Sequence, residues 1–126
     1  MPRLLLMPLG TGTCVPLPHR SPSGYVLSAG PDDPDWLLLD LGPGTTDRLA
    51  RTRFDYRDAR VVVLSHEHPD HVGDLLRLVQ ALQWTPGYER RDALTIVGSA
   101  ETLSRASMLL DTFELPRTFP LVPRPL

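Results

Sequence analysis

The stretch ARVVVLSHEHPDHVGDLLRLV, residues 59–79, changes its period partway along. Val61, Val62, Val63 and Leu64 form a β-branched apolar run of the kind that makes a buried strand. Further on, Val72, Leu75, Leu76 and Val79, followed by Leu82, recur at helical spacing, so a helix is predicted to begin at Pro69 or Asp70, where proline suits the first turn. Between the two lies SHEHPDH, residues 65–71, with three of the chain's four histidines. Binding sites of open α/β sheets lie at this kind of junction, where a strand ends and a helix starts.

Outward from that junction the same reading gives an α/β pattern. RLLLMPLG (3–10) is a strand, TGTCVPLPHRSPSG (11–24) a long loop, and YVLSAG and WLLLDLG (25–30 and 36–42) two strands joined by the turn PDDPD as a hairpin. GPGTTDRLARTRF (42–54) starts a helix that Thr45 or Thr46 can cap. LTIVG (94–98) is a further strand and SAETLSRASMLLDTF (99–113) a helix capped by Ser99. The tail from Glu114 has four prolines in thirteen residues and is expected to be extended. Strands come first and then alternate with helices, which is the order of an α/β domain.

Composition excludes several functions. The chain has 126 residues and a net charge of −2, so it is not a generally basic nucleic-acid binder. All thirteen basic residues are arginine, which removes a P-loop lysine, a Schiff base and a lysine general base. The single Cys14 cannot close an internal disulfide, which fits a reducing, cytoplasmic setting. No apolar run is long enough to span a membrane, and MPRLLLMPLG is too short and proline-broken to serve as a signal peptide.

His66 and His68 are two apart in an extended segment and can point the same way. Pro69 then turns the chain, and Asp70 and His71 project from the first helical turn. Two histidines could hold one divalent ion while Asp70 and His71 hold a neighbour, about 3.5–4 Å away as in two-metal hydrolytic sites. Imidazole with carboxylate suits zinc best, with iron or manganese as alternatives. The helical H-E-x-x-H motif is not met, because Asp70 stands where its second histidine belongs and Pro69 interrupts the helix. Glu67, between two inward-pointing neighbours, is expected to point away.

SHEHPDHVGDL (65–75) resembles the H-x-H-x-D-H signature of the metallo-β-lactamase fold. LGTGTCVP (9–16), RSPSGY (20–25) and LLLDLGPGT (37–45) are similar to the N-terminal segments of its ribonuclease Z-like branch, and they occur in the same order. The resemblance implies half of an αββα sandwich, a mixed sheet with helices on one face. It implies that His66 and His68 bind one metal and that Asp70 and His71 bind the second, with Asp70 taking part in catalysis. Asp40 would support the metal loop from behind, with a turn or cap role before Gly42 as the alternative. The chemistry implied is that of a phosphodiesterase or ribonuclease Z-like hydrolase using a hydroxide shared by two zinc (or manganese or iron) ions. Its substrate would be a phosphodiester or ester, RNA included.

The family's domain is longer, and its remaining ligands come from later segments. No histidine follows His71 in this chain, and apart from Asp74 only Asp92 and Asp111 remain as later aspartates. Residues 1–126 therefore read as the N-terminal part of such a domain, truncated before its second half. A catalytically incomplete metal-binding or interaction module is the alternative function, and a homodimer is one way to rebuild the site. Half a sandwich would leave an apolar sheet face open. Asp74 reads as a helix-surface residue, Tyr25 and Trp84 as packing residues, and His19 and the arginines at 48, 51, 53, 57 and 60 as solvated. GTGTCV lacks the third glycine of a dinucleotide loop, since Val15 stands there.

Overall fold

The computed structural model describes residues 3–126. Its six strands are β1 (Leu5–Gly10), β2 (Gly24–Ser28), β3 (Leu37–Leu39), β4 (Val61–Val63), β5 (Leu94–Gly98) and β6 (Leu121–Pro125), and they lie side by side in chain order. β1–β2 and β2–β3 pair antiparallel, the latter being the expected hairpin, and every later pair is parallel. The extended proline-rich tail becomes β6 against β5. Prolines sit at both edges, Pro8 in β1 and Pro123 and Pro125 in β6, where a missing N–H is tolerated and discourages further pairing.

Side chains alternate across the sheet. Val26, Leu38, Val62 and Ile96 align in register on one face and are buried. They pack with Leu75, Leu78, Val79 and Leu82 of α3 (Leu75–Trp84) and with Ala106 and Leu110 of α4 (Ala100–Thr112) in a single core. Each fully buried leucine or valine there contributes about 1.5–3 kcal/mol. On the other face Leu27, Leu37, Leu39, Val61, Val63 and Val97 are only half-buried, and Leu6, opposite Leu27, is 57% exposed. The helices thus cover one face and leave the other open, as the sequence implied. No helix among the described residues is long and apolar enough to cross a membrane.

Four expectations change. The helix predicted from Pro69 is two helices, α2 (Pro69–Val72) and α3, separated by Gly73 and Asp74. Asp74 is not on the helix surface but buried, with 7% exposure. Its carboxylate accepts the Thr46 N–H at 2.7 Å, in the first turn of α1 (Thr45–Leu49), and its own N–H donates to the Leu41 carbonyl at 2.9 Å. The cap expected of Thr45 or Thr46 thus comes from Asp74, 28 residues away from Thr46, and both threonine hydroxyls are buried without a partner. Trp84, read as a packing residue, is 61% exposed. It is the last residue of α3 and lies on the side of the helix opposite the buried Leu75, Leu78, Val79 and Leu82. Tyr25 is half-buried and Ser99 caps α4 as expected, accepting the Thr102 N–H.

Replacing Asp74 with alanine removes a helix cap and strands a buried N–H, so Asp74→Ala should lower unfolding stability by about 1–2 kcal/mol. Urea denaturation followed by circular dichroism measures it, and a surface role would give no change beyond about 0.5 kcal/mol.

Candidate metal centre

β3 and β4 run parallel and end side by side, which sets the site. Just past β3, the Asp40 N–H donates to the Val63 carbonyl at 2.8 Å. Past β4, the Leu64 N–H donates to Val97, and the chain leaves the sheet at Ser65. The loop after Asp40 is tied to α2 by the Leu41 N–H, which donates to the His71 carbonyl at 2.7 Å. Gly42 is needed at this crossing, because a Cβ there would strike the Asp70 carbonyl.

Asp40 lies in the left-handed region at φ 58°, which aspartate tolerates better than most residues. That backbone turn directs its carboxylate toward the loop after β4. One oxygen accepts the Ser65 N–H at 2.8 Å. The other accepts the Ser65 hydroxyl at 2.9 Å, the Ser23 hydroxyl at 3.2 Å and His71 Nδ1 at 2.6 Å. With Nδ1 donating to Asp40, the opposite nitrogen of His71 stands 3.3 Å from an Asp70 oxygen.

His66, Asp70 and His71 each offer a ligand atom, all within 4.8 Å of one another, and all three are half-buried. The His66 ring is tilted against His71 at 4.0 Å between centroids and edge-on to His68 at 4.7 Å. His68 is exposed and is not part of the three-residue cluster. Two imidazoles and a carboxylate converging at this distance are a donor set that fits a divalent cation such as zinc. Glu67 turns away from the rings, as expected, and its carboxylate accepts the Thr102 hydroxyl at 3.1 Å. Its pKa is lowered by its own backbone N–H first and by Thr102 second. His19 and the five arginines at 48, 51, 53, 57 and 60 are exposed.

Ser65 and Ser23 were not among the residues singled out in the sequence. Ser65 sits inside the motif, but its use depends on Asp40, 25 residues earlier, which no local pattern reveals.

This fold and this cluster define a class. A family model of the metallo-β-lactamase superfamily matches residues 20–124, and the chain belongs to that superfamily. Within it the chain is similar to ribonuclease Z of Ignicoccus hospitalis, 33% identical over 124 residues that make up 98% of this chain and 38% of that protein. The crystal structure of the short form of human tRNase Z aligns with a TM-score of 0.75 and 23% identity, over 95% of this chain and 44% of that one. Zn²⁺-bound PqqB from Methylobacterium extorquens aligns with a TM-score of 0.66 and 19% identity, over 96% and 46% of the two chains. The sheet and helices are thus part of a metallo-β-lactamase fold. The chain spans less than half the length of these relatives, 38% of the first.

Removing the Asp40 carboxylate leaves several donors without their acceptor and puts alanine in a left-handed conformation. Asp40→Ala should cost about 2 kcal/mol, with water replacing part of the loss at the exposed Ser65. Asp40→Asn keeps one oxygen and tolerates the backbone, so it should cost clearly less. Equal losses in chemical denaturation would mean that the carboxylate does not organise the loop.

Proposed function

We propose that residues 1–126 form the N-terminal part of a metal-dependent hydrolase acting on phosphodiesters, with RNA as the first substrate to test. The observation that carries this reading is the convergence of His66, Asp70 and His71 within 4.8 Å at the end of a parallel strand pair, braced by Asp40. Similarity to ribonuclease Z over nearly the whole chain supports the substrate class. In this reading His66 and His68 hold one cation, Asp70 and His71 hold the second, and Asp70 is the residue nearest the reacting groups. Zinc fits the donor set best, with manganese and iron as alternatives. Two bound cations would supply water activation near neutral pH and stabilise negative charge developing on a phosphoryl group.

The chain's own residues do the positioning. Asp40 fixes the orientation of His71 by holding Nδ1. Thr102 keeps Glu67 out of the ligand space. Pro69 starts α2, whose first turn presents Asp70 and His71 to that space.

Zinc bound per purified chain, measured beside His68→Ala and His71→Ala, tests this. Bound zinc that falls in both variants is the expected result, and zinc that is equal in all three proteins would overturn the ligand assignment. A second reading, a metal-binding or interaction module without catalysis, is favoured by the half-exposed apolar face. It includes association of two copies through that face, since packed sheets bury such faces about 10 Å apart. Analytical ultracentrifugation should then show a concentration-dependent dimer that Leu6→Glu weakens, and a monomer at all concentrations would rule it out.

A further inference from the structure

We infer that Ser65 is a positioning residue which, together with Asp40, sets the ring tautomer of His66 so that its Nε2 is free for a cation. This rests on the reading of His66 as a ligand, but the tautomer itself can be read without any metal.

An ionised carboxylate only accepts hydrogen bonds, and a serine hydroxyl has one proton to give. The Ser65 hydroxyl lies 2.9 Å from an Asp40 oxygen and 3.0 Å from His66 Nδ1. If its proton went to His66 Nδ1, the hydroxyl and carboxylate oxygens would face each other at 2.9 Å with no proton between them. The proton therefore goes to Asp40, and the hydroxyl lone pair accepts an N–H from His66 Nδ1. That tautomer has a bare Nε2. The same Asp40 oxygen holds His71 Nδ1 directly at 2.6 Å. A single carboxylate thus orients two rings assigned to different cations, one directly and one through Ser65. The Ser65 N–H bond to the other Asp40 oxygen, at 2.8 Å, keeps the hydroxyl in place although Ser65 is exposed. Among the described residues His68 makes no comparable bond.

Nitrogen-resolved NMR of the imidazoles tests this in the metal-free 126-residue chain, at a pH above the usual imidazole range. In wild type and Ser65→Thr, His66 should be mainly the Nδ1–H tautomer. In Ser65→Ala it should shift toward Nε2–H, while His71 stays Nδ1–H because Asp40 still holds it. A His66 that is mainly Nε2–H in wild type, or one unchanged by Ser65→Ala in a protein with wild-type amide dispersion, would overturn the inference. The wild-type spectrum alone decides the point if the alanine variant does not fold. Zinc affinity by chelator competition should then fall about ten- to a hundredfold in Ser65→Ala and be restored in Ser65→Thr. If the tautomer responds to Ser65 but no form of the chain binds zinc, the role of Ser65 stands and the ligand assignment fails.

Discussion

The Asp40 carboxylate is the interaction on which the site depends. It gathers donors from three separate segments, Ser23 at the end of the first loop, Ser65 after β4, and His71 in α2. Backbone bonds from the next two residues reinforce it, the Leu41 N–H to the His71 carbonyl and the Gly42 N–H to the Ser23 carbonyl. The carboxylate can gather these donors because parallel pairing of β3 and β4 brings two strand ends to the same edge, and because φ 58° at residue 40 turns the side chain across that edge. A residue that resists the left-handed region would have to choose between its backbone and its side-chain bonds.

What could be read in the sequence is what depends on near neighbours. The run Val61–Leu64 and the helical recurrence of Leu75, Val79 and Leu82 are short-range patterns, and both became the elements they indicate. The H-x-H-x-D-H spacing is likewise local, and the structure brings His66, Asp70 and His71 together. Asp74 could not be read this way. Its position in GDL has surface periodicity, and its role comes from Thr46, 28 residues away. Trp84 was misread for the complementary reason: hydrophobicity indicates packing only if another element is there to receive the ring, and α3 turns it outward. Ser65 was overlooked because a serine before a histidine has no chemical signature until an acceptor is placed beside it.

The two faces of the sheet give the site its character. The helix face is a closed core, with Leu38, Val62, Leu75, Leu78 and Leu82 fully or almost fully buried, and this holds the strand ends in register. The open face carries Leu39, Val63 and Val97, which lead directly to those ends and are left half-buried by the described residues. Bracing of the ligands and burial of the open face are therefore separate. Asp40, Ser65 and His71 complete their bonds from the chain's own residues, so the rings are oriented before any further protein surface arrives.

Orientation of this kind lowers what later ligands must supply, because the rings' rotational freedom is already lost on folding. It does not by itself close a catalytic zinc site, which takes three protein ligands and a water. With two ligands assigned to each cation in the proposed reading, the chain can select and aim a cation but holds it weakly. In that reading the remaining ligands come from protein surface beyond these four side chains.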